Sequence, residues 1–182
     1  MSARPLPSRT LSPRILQSAL PTRLRPADLL HTCDAFADGV LDGRFDRFLP
    51  AGGPPADARW YARLHADDDL DVWLISWVPG HTTELHDHGG SLGALTVLSG
   101  SLNEFRWDGQ RLRRRRLEAG DQAAFPLGWV HDVGAAGDTP FETLSVHAYS
   151  PPLTAMSYYE VTPRQRLRRT RTELTDQPEK TA

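Results

Sequence analysis

Between Arg59 and Val161 the chain is a succession of short runs rich in Val, Leu, Trp, Phe and Tyr, broken by Gly, Pro and Asp. The runs fall at 59–66, 71–78, 82–88, 93–99, 101–107, 111–117, 121–125, 129–133, 141–149 and 155–161. Strand-length segments at near-regular spacing, with turn formers between them, predict a mainly β architecture, an antiparallel barrel or sandwich. Ahead of them, Leu29, Leu30, Cys33, Phe36, Ala37 and Val40 recur at helix spacing. Pro26 suits the first turn of that helix and Gly43 its exit, so the pattern predicts a helix from Pro26 to about Leu41. Residues 1–25, rich in Pro, Ser and Arg, read as a flexible arm, and Ala51–Pro55 as a loop. From Pro163 to Ala182 the charges lack a periodic apolar face and read as a flexible tail. The organisation is therefore one domain, residues 26–162, between an arm and a tail.

Composition narrows the class. At 182 residues, 39% hydrophobic and 24% charged, the chain can bury an ordinary core. A net charge of −2 gives no general attraction to nucleic acid or membrane, and no apolar run approaches a membrane span. Pro5, Pro7, Pro13 and Pro21 break up any apolar stretch that could act as a secretion signal. The one cysteine, Cys33, excludes an internal disulfide and fits a reducing cytosol, so we expect a cytoplasmic protein. Lys180 is the only lysine against 20 arginines, a bias we attribute to base composition.

The candidate chemistry lies in two spaced half-motifs, Gly80-x5-His86-x-His88 up to Gly100, and Gly120-x5-Pro126-x-Gly128-x2-His131. In an extended segment Thr82, Glu84, His86 and His88 share one face, and His81, Thr83, Leu85 and Asp87 the other. His81 is thereby set aside as a ligand. His131, delivered by the turn at Pro126 and Gly128, could join His86 and His88 in a three-nitrogen face suited to Fe, Zn, Cu or Ni. A single histidine is usually a core or surface residue with satisfied hydrogen bonds, the reading we give His31 and His65. The glycine spacing separates His86, His88 and His131 from that case.

These half-motifs resemble the cupin signature, and the residues around them resemble the type I cysteine dioxygenase family, bacterial type. The resemblance rests on Trp77-Val-Pro-Gly80, His86-Asp-His88-Gly-Gly-Ser-Leu-Gly-Ala94, Ser145-Val-His147-Ala-Tyr149-Ser-Pro-Pro152 and Tyr61-Ala-Arg63, in that family's order over residues 28–162. It implies a cupin double-stranded β-helix barrel, a jelly roll with a short helical segment in front. It implies one Fe(II) per chain held by His86, His88 and His131, and O2-dependent oxidation of L-cysteine to cysteine sulfinic acid by a monomer. Arg63 would clamp the substrate carboxylate, with Tyr61 beside it, as a planar guanidinium can. Taken alone, the alternation at 144–149 puts Leu144, Val146 and Ala148 inside and Ser145, His147 and Tyr149 in solvent. The resemblance inverts it, turning the Ser–His–Tyr row into the pocket.

One position departs from the mammalian members, where a cysteine after the His-x-His pair crosslinks to the tyrosine. Gly93 stands there, so no crosslink is expected, and the glutamate ligand of the general cupin pattern is missing too. Three other readings compete. A relative acting on 3-mercaptopropionate or another thiol acid tends to carry glutamine where Arg63 stands. A non-catalytic metal- or ligand-binding cupin, or a zinc or nickel cupin with isomerase or hydrolytic chemistry, leaves the Ser145–His147–Tyr149 row unexplained. Arg113–Arg116 reads as a charged edge strand that resists aggregation, Arg164–Arg171 as a solvated cluster, and Asp67–Asp69 as an acidic turn. Arg59 and His65 read as the wet face of their strand. The helix is expected to cover an end of the barrel.

Overall fold

A computed structural model describes residues 24–137 and 142–178. The arm expected at residues 1–25 lies almost wholly outside that range. Helix α1 (Pro26–Leu41) and a short 3-10 turn (Asp46–Phe48) precede eleven strands. These are β1 (Tyr61–Ala66), β2 (Asp71–Trp77), β3 (His86–Asp87), β4 (Leu92–Ser99), β5 (Ser101–Trp107) and β6 (Leu112–Glu118). They continue with β7 (Gln122–Phe125), β8 (His131–Ala135), β9 (Thr143–Ser150), β10 (Ala155–Val161) and β11 (Leu167–Leu174). One sheet has the order β1-β2-β9-β4-β7, the other β11-β10-β3-β8-β5-β6, with antiparallel pairing throughout. This is the mainly β jelly roll that the sequence pattern and the resemblance predicted. No helix among the described residues is long and apolar enough to cross a membrane.

Two cores follow from the period-2 geometry of the strands. Trp73, Ile75, Trp77, Leu95, Val97, Leu102, Phe125, Val133, Tyr149, Met156 and Tyr158 pack between the sheets. The alternate residues Leu64, Val72, Leu74, Ala94, Val146 and Ala148 form the opposite face of the five-stranded sheet. There α1 covers them with Leu29, Cys33 and Ala37. Strand β2, with all seven residues buried, is apolar on both faces apart from Asp71 and Ser76, because one face meets the interior and the other the helix. Burial of Leu29 alone is worth about 1.5–3 kcal/mol, so the helix is fastened by its apolar stripe.

Two expectations need correction. Helix α1 lies over β4, β9 and β7, on the outer face of a sheet rather than over the barrel end. An apolar stripe requires an apolar partner, and a buried sheet face supplies one where a polar rim does not. Within the segment read as a flexible tail, residues 167–174 form β11, paired with β10. Its side chains are almost all exposed, so no apolar periodicity marks it. Main-chain pairing holds it, with Arg168 on Glu160, Arg171 on Glu84 and the Arg171 guanidinium 3.8 Å above the Tyr158 ring.

Candidate metal centre

Strand β3 stands between β10 and β8, with His86 in register with both Tyr158 and His131. The turn Pro126–Trp129, closed by a hydrogen bond from Trp129 N to Pro126 O, leads into β8 and places His131 at its first residue. His86, His88 and His131 are all at most 5% exposed. One ring nitrogen from each lies within 4.8 Å of the others. The alternation argument holds only for His86 and His88, because residues 82–85 are not regular strand. There Thr83 is buried, while Thr82 and Glu84 are exposed. Glu84 turns outward to a two-point ion pair with Arg171, at 2.9 and 2.6 Å. His81 is exposed, as expected.

The hydrogen bonds fix which nitrogens face the cluster. His86 Nδ1 lies 2.7 Å from the Glu84 carbonyl oxygen, which can only accept, so Nδ1 carries the proton and Nε2 keeps its lone pair. His131 Nδ1 likewise lies 3.1 Å from Glu104 Oε1. His131 Nε2 is buried with no hydrogen-bond partner, which is costly unless another group takes its lone pair. Three converging imidazoles, with the outer nitrogens of His86 and His131 anchored, are what a metal ion requires of its ligands. Sequence reasoning missed Glu104. It is 2% exposed and also accepts the Trp129 indole N–H at 2.9 Å. Burial pushes its carboxyl up, but the hydrogen bonds from His131 and Trp129 and the charge of Arg115 outweigh it and hold the pKa below the usual range.

Beside the histidines, Ser145, His147 and Tyr149 are at most 1% exposed and line the interior face of β9. The row is therefore interior and not in solvent, while Val146 and Ala148 on the other face are buried as well, under α1. The interior has room for this polar row because its members satisfy one another. Trp77 Nε1–H donates to Ser145 Oγ at 2.8 Å, and among the described residues the Ser145 hydroxyl has only His147 Nε2, at 2.9 Å, as acceptor. His147 Nδ1 then holds the ring proton and donates to the Tyr149 oxygen at 3.2 Å. The Tyr149 hydroxyl hydrogen is thereby directed to an acceptor other than His147. The Tyr149 ring centroid lies 4.9 Å from that of His88, so this phenol borders the histidine cluster. Gly93 pairs with Tyr149, and a Cβ there would come 3.0–3.3 Å from the Phe125 and Tyr149 rings. Cys33 is buried on the inner side of α1, in the core on the far side of the sheet from Tyr149.

Tyr61 and Arg63 occupy the same interior side of β1, in register with Ile75 and Trp73. The Arg63 guanidinium stacks 4.4 Å above the Trp73 ring, and the Tyr61 ring meets Trp73 edge-on at 5.7 Å. Arg59 is drawn in too, 4.4 Å above the Trp77 ring and only half exposed, where a wet-face residue was expected. His65 is also half-buried, bonded to Asp67 at 2.8 Å. The four arginines of β6 are spent locally, on Asp108, Asn103, the Gln122 carbonyl and Glu118, as suits an edge strand.

Comparison with known proteins agrees with this geometry. Residues 57–162 match the family described as cysteine dioxygenase type I. A solved structure of an uncharacterized conserved protein with a double-stranded β-helix domain from Klebsiella pneumoniae is 22% identical. That match covers 63% of this chain and 93% of the other, with a TM-score of 0.51, and shows the same fold. KdgF from Halomonas is 19% identical over 52% of this chain and 82% of its own, with a TM-score of 0.46.

Proposed function

Because the chain belongs to the cysteine dioxygenase type I family, we propose that it is a mononuclear non-haem iron enzyme converting L-cysteine and O2 to cysteine sulfinic acid in the cytosol. The observation that carries this reading is the buried His86–His88–His131 cluster sharing one interior with the Ser145–His147–Tyr149 row and Arg63. An Fe(II) ion held by the three neutral imidazoles would favour the thiolate over the thiol and supply the electrons for O2 activation. Among the described residues no carboxylate stands in the ligand cluster itself, and Glu104 acts on it only through His131.

The remaining roles belong to the chain. Arg63, held flat against Trp73, binds the substrate carboxylate at two points, and Tyr61 borders the same subsite. This positions the thiol rather than activating it, so no strong general base is needed. Tyr149, held by its hydrogen bond to His147 and packed against His88, sets its phenol beside the reacting groups. The tight aromatic lining by Trp73, Trp77, Phe125 and Tyr158 excludes bulk water. Sulfur takes up both oxygen atoms of O2, moving from thiol to sulfinic acid.

Oxygen uptake by the iron-loaded protein with L-cysteine, set beside 3-mercaptopropionate, tests the assignment. Uptake with L-cysteine that matches sulfinate formation, together with at least a tenfold rise in KM for Arg63→Ala, is the expected result. Preference for 3-mercaptopropionate would overturn the substrate, and uptake with neither would overturn the activity.

A further inference from the structure

Strand β11 ends at Leu174 on the outer edge of the six-stranded sheet, and β1 is the outer edge of the five-stranded sheet. Residues Thr175–Pro178 cross from one edge to the other. The Thr175 N–H donates to the Thr154 carbonyl at 3.1 Å. The Gln177 N–H donates to Thr175 Oγ1 at 3.1 Å, while that hydroxyl donates to the Gln177 carbonyl at 3.2 Å. Pro178 is buried. At the far side, Arg63 Nη2 donates to the Asp176 carbonyl at 2.5 Å and to its carboxylate at 3.3 Å. The Tyr61 hydroxyl donates to Gln177 Oε1 at 2.9 Å.

The position of these bonds on the guanidinium decides their meaning. A carboxylate binds arginine at two points through the Nε/Nη2 edge or the Nη1/Nη2 edge, and both include Nη2. Nη2 carries one N–H on each of these edges, and Asp176 sets two acceptors against it, so a carboxylate arriving on either edge competes with Asp176. Arg63 Nε is buried with no hydrogen-bond partner, so the side-on edge is only half used. Both residues to which the substrate carboxylate is assigned are held by one tetrapeptide of the same chain.

We propose that Thr175–Pro178 is an autoinhibitory strap whose Asp176 occupies the carboxylate subsite at Arg63, so that a substrate carboxylate binds by displacing it. This rests on the reading of Arg63 as the carboxylate clamp. The Arg63 and Asp176 side chains are 37% and 77% exposed, so the contact is readily broken. Apparent substrate affinity is the intrinsic affinity scaled by the fraction of molecules with the strap open. The strap thus weakens carboxylate-bearing thiols selectively and leaves a thiol without a carboxylate unaffected.

The test is anaerobic calorimetry of the iron-loaded full chain with L-cysteine and with cysteamine, which lacks the carboxylate. The comparison includes Asp176→Ala/Gln177→Ala, a chain ended at Leu174, and Arg63→Ala. Removal of the whole contact in the chain ended at Leu174 should tighten L-cysteine about two- to fivefold, the range an exposed ion pair supports, and Asp176→Ala/Gln177→Ala, which keeps the Asp176 carbonyl, should tighten it less. Cysteamine should be unchanged. In the parent protein, saturating L-cysteine should also speed hydrogen exchange of the 175–177 amides. Tightening by neither variant, with Arg63→Ala still weakening L-cysteine, would overturn the strap while leaving the clamp intact. An Arg63→Ala variant with unchanged L-cysteine affinity would overturn the clamp itself, and the strap with it.

Discussion

Replacing Ser145 with alanine removes one oxygen atom, and with it the acceptor of the Trp77 indole N–H and the donor to His147 Nε2. Ser145 Oγ accepts the Trp77 indole N–H at 2.8 Å and donates to His147 Nε2 at 2.9 Å, with no exposed surface. Among the described residues, the Trp77 N–H has no other acceptor. Each buried group deprived of this partner costs about 1–3 kcal/mol, so the variant should lose roughly 2–6 kcal/mol of stability. A domain of this size loses about 2–4 °C of Tm per kcal/mol, so a fall of about 4–24 °C is expected. Urea unfolding of the metal-free protein reads the loss without a contribution from metal binding. A double-mutant cycle with Trp77→Phe isolates the mechanism, since phenylalanine has no N–H to leave unpaired. The double variant should lose less than the sum of the singles, by about 1–3 kcal/mol. Destabilisation of Ser145→Ala below about 0.5 kcal/mol, or strict additivity with Trp77→Phe, would refute the hydrogen-bonded row as drawn. The same substitution frees the His147 tautomer, so oxygen uptake should fall at saturating thiol while KM changes little.

Two further outcomes follow from buried carboxylates. Glu104→Gln keeps the shape but weakens the acceptor for His131 Nδ1, and metal affinity should fall about 10–100-fold in a chelator competition; unchanged affinity would remove Glu104 from the site. Asp71 is raised from 3.8 to about 6 because burial opposes its charge, against the Trp73 hydrogen bond and the charge of Arg63. A carboxyl raised on folding favours the folded state below pH 3.8, and this advantage is lost as pH rises to about 6. Asp71→Asn, which keeps the acceptor for Trp73 Nε1 without the charge, should therefore gain about 2–3 kcal/mol relative to the parent between pH 4 and pH 7.5. Parallel stability curves for the two proteins across that range would refute the buried charge.

What the chain discloses about itself depends on the range of each interaction. The His86-x-His88 pair is legible because two residues on one strand face share a direction by local geometry. Its link to His131 is legible because the glycine and proline turns mark where each strand begins. Glu104 is a different case. Along β5, Leu102, Glu104 and Arg106 alternate with Asn103 and Phe105, so polar and apolar residues occur on both faces and periodicity cannot assign the interior one. The clue to Glu104 was its chemistry, a carboxylate on a strand that neighbours the ligand strand, and that adjacency becomes visible only once β5 is paired with β8. Strand β11 fails for the opposite reason. An edge strand held by main-chain bonds and ion pairs needs no apolar face, and absence of such a face was read as absence of structure. The strap compounds both difficulties, since Arg63 and Asp176 are separated by 113 positions and Tyr61 and Gln177 by 116. Alternation identifies the side of β1 that carries Tyr61 and Arg63, but any carboxylate in the chain could have met them. Closure of the barrel decides among those carboxylates by bringing the outer edges of the two sheets together. Contacts across that seam can therefore change without disturbing either core, which is why a regulatory element can sit there while the histidine cluster stays fixed.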